Sequence, residues 1–150
     1  MQKQSIFPSI FLLSILSSSV SCHPVEEHPR YTAARLTDEY KHILDGKIKL
    51  AESHIFTDDL IVDDCGHGGD YNYLSDKLDA LIPTLSQVEA TVKFAYPVPF
   101  TNSTIQFSVD ETLTRLNGDV DQTEKAFFAR VDEKDEEYKI YDIRTVPCYT

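Results

Sequence analysis

Two clusters of side chains and one pair of thiols have the types and spacing to do chemistry. Asp58, Asp59, Asp63, Asp64, His67 and Asp70 crowd carboxylates and one imidazole into a short stretch. Such donors can hold a divalent ion, but the spacing fits neither an EF-hand loop nor the His-Glu-x-x-His zinc pattern. A solvated acidic turn is the simpler reading, so no metal and no cofactor is expected. Tyr96, Arg130, Asp132, Asp142 and Arg144 fall in strand-like stretches. They could point inward as acid, base or anion-holding groups, although Asp142 and Arg144, two apart, would equally pair on one solvated strand face. Cys65 has His67 close by as a base for a thiolate nucleophile. Gly66, Gly68 and Gly69 surround that histidine without the strand, helix and lysine of a phosphate loop, and no Ser-His-Asp arrangement is visible. No catalytic residue is assigned.

The N-terminus says where these thiols reside. Lys3, the apolar run of residues 6–16 and the small residues Ser17, Ser18, Ser19, Val20 and Ser21 read as a secretory signal peptide, residues 1–22, cleaved before or after Cys22. Its apolar core is shorter than the roughly 20 residues that a permanent membrane helix needs, and no later stretch qualifies. After cleavage behind Cys22 only Cys65 and Cys148 remain, an even pair in an oxidising compartment, which reads as one disulfide rather than a nucleophile. Asn102-Ser103-Thr104 is an N-glycosylation acceptor in a turn. A secreted, extracellular glycoprotein follows. The chain carries 14 basic against 25 acidic residues, a net charge of −11. So acidic a surface argues against nucleic acid and, once the signal is cleaved, against a membrane as partner.

What remains is enough for one domain. Residues 23–35, with Pro24, Pro29 and a Glu26-Glu27 pair, read as a loose leader, and 36–150 as the domain. A first helix is expected from an N-cap at Thr37 to about His54, through Gly46, on the stripe Leu36, Tyr40, Ile43, Leu44, Leu50, Ala51 and Ile55. A short strand over 56–65 and an irregular turn over 66–70 follow. Leu74, Leu78, Leu81, Leu85 and Val88 predict a second helix that Pro83 should kink or shorten at Ile82. The last third reads as four antiparallel strands. In 90–98 the apolar set is Val92, Phe94, Tyr96 and Val98, and in 103–113 it is Ile105, Phe107 and Val109. The aromatic 126–131 and the two-faced 138–146 read as central strands. Asn117-Gly118 marks the hairpin before the third strand. Helices first and antiparallel strands later predict an α+β fold, a sheet of four main strands with one face covered by the N-terminal helices.

Tyr40, Ile43 and Leu44, then Phe56-Thr57-Asp58-Asp59-Leu60 with its Cys-Gly turn, the Leu74 to Leu85 stripe and the closing Tyr138-Lys139-Ile140-Tyr141-Asp142-Ile143 carry a resemblance. Over residues 35–148 the chain resembles the nuclear-transport-factor-two-like superfamily, which includes ketosteroid isomerase-like and polyketide cyclase-like proteins, and in particular its small secreted nematode members. The resemblance implies a curved, cone-shaped sheet around an apolar pocket and often a homodimer made through the sheet. Phe94, Tyr96, Phe107, Phe128, Arg130 and Asp142 are then the pocket candidates. Three functions stay open: a non-enzymatic binder of an apolar small molecule or a protein partner, a small-molecule isomerase or cyclase, and a cystatin-like protease inhibitor. The last rests only on a faint match of Gln87-Val88-Glu89-Ala90-Thr91 to an inhibitory loop. The absence of an assignable catalytic set favours the binder.

Overall fold

A computed structural model describes residues 28–101 and 103–148. The stretch read as a signal peptide, the expected leader as far as residue 27 and Asn102 of the expected glycosylation site lie outside the described residues. The chain folds as α+β, with two helices laid on a curved, unclosed six-stranded sheet. The four long strands expected from the sequence are joined by two more.

Helix α1, Pro29–Leu44, begins about two turns before the expected Thr37 and takes up part of the stretch read as loose leader. His28 caps it by accepting from the Arg30 N–H, and Pro29 stands in the first turn, where its missing N–H costs nothing. The physical reason for the early start is burial. Ala33 and Leu36 extend the stripe of Tyr40, Ile43 and Leu44 backwards, and all five are shielded from solvent. Thr37 is therefore a buried mid-helix residue whose hydroxyl has no partner among the described residues. The helix stops at Gly46 rather than passing through it. With φ at +68°, the Gly46 N–H donates to the Ile43 carbonyl and the Lys47 N–H to that of His42, a Schellman stop.

Strand β1, Phe56–Asp64, turns through Cys65 and Gly66, both at positive φ, into the short strand β2, His67–Gly69. The expected irregular turn is thus a tight two-residue hairpin, in which positive φ matches the twist of the strands. A side chain at Gly68 would run into the Val62 carbonyl. Asp70 caps α2, Tyr71–Leu81, by accepting from the Asn72 and Tyr73 N–H groups. Pro83 ends that helix in one 3-10 turn, so Leu85 and Val88 belong to the next strand.

The sheet continues with β3, Leu85–Pro97, β4, Thr104–Arg115, β5, Val120–Val131, and β6, Tyr138–Val146. The order is β2-β1-β6-β5-β4-β3, with β1 parallel to β6 and all other neighbours antiparallel. The two strands expected at the centre, β5 and β6, are interior. The segment likened to an inhibitory loop, residues 87–91, lies inside β3 with Val88 buried, so it is not a loop.

Register shifts change which residues share a face, two of them at aromatic positions. In β3, Val92 pairs with Val109 and Phe94 with Ser108, which leaves Lys93 unmatched. Val92 therefore faces the helices while Phe94 and Tyr96 face away, although simple alternation puts all three on one side. In β6, Phe128 pairs with Asp142 and Ala129 with Ile140, so Tyr141 is the extra residue, and Ile140 and Ile143 both turn inward. An extra residue bends its strand and raises its twist, which curves the sheet around the helices. The inner face carries Ile105, Phe107, Val109, Phe127, Ala129 and Ile140, all buried under α1. The Phe127 ring lies 5.1 Å from Phe107 and 5.2 Å from Tyr40.

Candidate functional site

Where the inner face runs past the end of that core, it leaves a cavity of about 390 Å³ between α1, α2 and the sheet. Part of the lining is apolar: Leu74, Leu78 and Leu81 from α2, with Val62, Leu113 and Ile143 from three strands. The helical stripe read from the sequence is thus partly a cavity wall. Polar groups share the lining: Tyr40, Asp64, Lys77, Glu111, Thr123, Lys125 and Thr145.

Those polar groups form two connected sets. The Tyr40 hydroxyl donates to Glu111 Oε2 at 3.0 Å, and Thr123 Oγ1 donates to Oε1 at 3.2 Å. Glu111 is 4 % exposed, so these two donors replace the water it has lost. In the second set, Lys125 Nζ donates to Thr145 Oγ1 at 2.7 Å, and that hydroxyl donates to Asp64 Oδ1 at 2.6 Å. Lys77 from α2 closes on the other oxygen of Asp64. Arg115 and Asp121 pair at 2.7 Å along the same lining.

The surroundings set the protonation of these groups. Burial first, then the charge and hydrogen bond of Glu111, push the Tyr40 phenol well above its ordinary range. Burial works to raise Asp64, but hydrogen bonds from Lys77 and Thr145 and the charge of Lys125 overcome it and hold the carboxyl at about 2. Burial is also the largest influence on Lys125. It lowers the ammonium below the ordinary lysine range, with Glu111 and Asp64 opposing and Lys77 assisting.

None of the six pocket candidates read from the sequence lines this cavity. Phe107 is fully buried in the adjoining core. Phe94 and Tyr96 stack on the outer face at 5.7 Å, and Phe128 lies there beside Tyr141. Asp142 is 6 % exposed and held by Arg144 on that same face, which is the strand-face pair foreseen as the alternative. Arg130 clamps Asp59 with two bonds and lies over the Tyr141 ring. It lines a shallower hollow of about 540 Å³ with Asp58, Asp132 and Lys134. The acidic stretch is dispersed: Asp58 pairs with Lys134, Asp63 accepts from Gly66 N–H, Asp70 caps α2, and only Asp64 reaches the cavity. Cys65 and Cys148 are bonded, tying the β1–β2 turn to the segment after β6.

The sequence held a signal for two of the missed residues. Glu111 continues the inward register of Ile105, Phe107 and Val109, and Lys125 precedes inward Phe127 by two. A charge at an inward position must be compensated or functional.

No protein-family model matches the chain, and no curated protein matches it in sequence. Solved structures do match in shape. A protein of unknown function from Exiguobacterium sp. 255-15, described as NTF2-like, aligns at TM-score 0.58 and 16% identity over 79% of this chain and 99% of its own. The fold is nuclear-transport-factor-two-like. Another so described, from Shewanella oneidensis MR-1, aligns at TM-score 0.61 and 13% identity over 79% of this chain and 98% of its own. A Shewanella frigidimarina protein provisionally assigned as a ketosteroid isomerase aligns at 0.59 and 10% identity over 76% of this chain and 94% of its own. At these identities the likeness is one of fold, and nuclear-transport-factor-two-like architecture by itself carries no activity.

Proposed function

We propose that this is a secreted binding protein, not an enzyme, that takes a small, largely apolar molecule bearing one polar group into the inner cavity. The observation that supports it most is the mixed lining: apolar residues, three of them leucines of α2, with a few hydrogen-bonded charged groups, of which Glu111 is buried. The volume falls within the range of small-molecule sites, where apolar surface supplies affinity and a few polar groups fix orientation. The non-enzymatic reading rests on the protonation of the lining. An Asp64 held at about 2 is a weak base, and a Tyr40 well above its usual range is a poor acid at neutral pH. The acidic surface, export and glycosylation belong to the same reading, with neither nucleic acid nor a membrane as partner.

A specific contact favours the second reading, a small-molecule isomerase or cyclase. A tyrosine and a neutral carboxylic acid side by side in an apolar site, both donating to the substrate oxygen, form the oxyanion hole of a ketosteroid isomerase, and here Tyr40 lies beside the buried Glu111, to which it donates. On the outer face, Phe94 and Tyr96 remain about two-fifths exposed. That supports a homodimer formed through the sheet, as the resemblance implies, and sedimentation of the purified protein tests it.

Native mass spectrometry of protein from a secreting eukaryotic cell, with 1-anilinonaphthalene-8-sulfonate as probe, tests the main reading. A retained small molecule or bound probe, lost in Leu78→Arg, is the expected outcome. Identical behaviour of wild type and a folded Leu78→Arg protein would overturn it. Turnover of a retained molecule, abolished in Tyr40→Phe, would establish the enzyme instead.

A further inference from the structure

We propose that Lys125 is an amine nucleophile that captures a carbonyl compound in the inner cavity as an imine. The inference rests on the cavity being a small-molecule site and adds a bond-forming residue and a ligand class, an aldehyde or ketone with an aliphatic or aromatic body.

Position carries the argument. The Lys125 side chain is 12 % exposed and lines the cavity together with the α2 leucines. Its nearest carboxylate oxygen, on Asp64, is 3.8 Å away and already accepts from Thr145, while Lys77 holds the other oxygen. Asp64 shares its charge among Thr145, Lys77 and the Lys125 ammonium, which it still favours, but it is the more distant partner of Nζ. Because the Thr145 hydrogen is committed to Asp64, its oxygen lone pairs face Lys125 Nζ at 2.7 Å and hold the nitrogen in place. Lys139 shares the low exposure but differs, being clamped between Asp132 and Asp135.

Two features activate such an amine: loss of water around it and a second cation nearby. Both are present, as burial and the charge of Lys77 each lower the proton affinity of Lys125. Facing groups from the other packed elements are Tyr40 of α1, Lys77 of α2, Asp64 of β1 and Glu111 of β4. Glu111 lies in the same lining, where its charge balances a protonated imine.

The step needs no co-reactant. The neutral Nζ adds to the carbonyl carbon, a C–N bond forms, and the carbonyl oxygen gains one proton from nitrogen. The C–O bond then breaks, and the second amine proton leaves with that oxygen as water, giving C=N. Nothing is oxidised or reduced, and hydrolysis runs the same path backwards, so capture is reversible.

The test treats the folded, disulfide-bonded protein with cinnamaldehyde at neutral pH, traps with borohydride and maps modified lysines by peptide mass spectrometry. In parallel, calorimetry follows cinnamyl alcohol, which has the same body and no carbonyl. The expected result is one reduced adduct, at Lys125, formed faster than at exposed Lys47 or Lys134, because an amine with lowered proton affinity is more often neutral at this pH. Alcohol binding without preferential trapping at Lys125 would overturn the imine and leave the cavity as a ligand site. Uniform trapping over surface lysines with no alcohol binding would overturn both. Site mapping in the wild type keeps the test decisive even where Lys125→Met fails to fold; a folded Lys125→Met protein should bind the alcohol and lose the adduct.

Discussion

Phe127 and Phe128 are neighbours in β5 and meet opposite environments. Phe127 stacks on Phe107 in the sealed inner core. Phe128 lies on the outer face, half-buried, with Tyr141 on one side and the Arg144 guanidinium over its ring. The same contrast holds for charge. Outside, Lys93 meets Glu124 and Asp110, and Arg130 meets Asp59, in reach of water, while the half-exposed Arg144 covers the buried Asp142. Inside, Asp64 pairs with Lys77 and lies 3.8 Å from Lys125, while Glu111 has no cation in contact and takes its hydrogen bonds from the Tyr40 and Thr123 hydroxyls. Exposed pairs are replaceable because water can stand in for either partner. The inner set has no such substitute, and that is what makes it the candidate for function.

Substitutions break this comparison in graded steps. Phe127→Ala should cost about 3–5 kcal/mol by opening a void, against about 1 kcal/mol for Phe128→Ala, measured as paired urea melts. Equal losses would mean that the faces do not differ as described. Cys65→Ser removes a bridge spanning 83 residues and should cost about 2–4 kcal/mol; an unchanged melting temperature would show that the parallel β1–β6 pairing alone holds the chain end.

Tyr40→Phe takes one of two donors from a buried carboxylate and should cost about 1–3 kcal/mol, whereas an outer-face change such as Tyr96→Phe should be nearly silent. Acid sharpens the comparison further. Because Asp64 titrates lower in the folded chain than its ordinary 3.8, its contribution is complete above about pH 4 and is lost as pH falls through about 2. Of order 1–2 kcal/mol should disappear across that window, read as a shrinking difference in melting temperature between wild type and Asp64→Asn. Smallest of all, Asp58→Asn should change stability by less than about 0.5 kcal/mol, since the carboxylate and Lys134 are both largely in water.

Much of the fold could be read before any coordinates. The period-two stretches, the Asn117-Gly118 turn and the leucine stripe of α2 each depend on residues near in sequence, and each placed an element correctly. The misplacements have local causes too. The apolar stripe of α1 extends through Ala33 to the N-terminal side of a good cap residue, and burial of that stripe outweighed the cap. Beyond Gly46, Leu50 is buried in a single 3-10 turn and Ile55 in no helix at all, so their periodicity reported burial and not a continuing α-helix.

The candidate site was the least legible part, for a different reason. Tyr40 reads as core on a helix stripe, and Glu111 and Lys125 become neighbours only when β4 and β5 pair, with α1 laid across them. By itself the sequence determined the α+β order, the strands and the two thiols available to be joined, because those follow from periodicity, turn chemistry and count. Only the tertiary structure decided which aromatic residues face inward and which charges share a cavity. A single bulge residue, Lys93 or Tyr141, reverses the facing of every side chain beyond it, and contact between distant strands has no local signature.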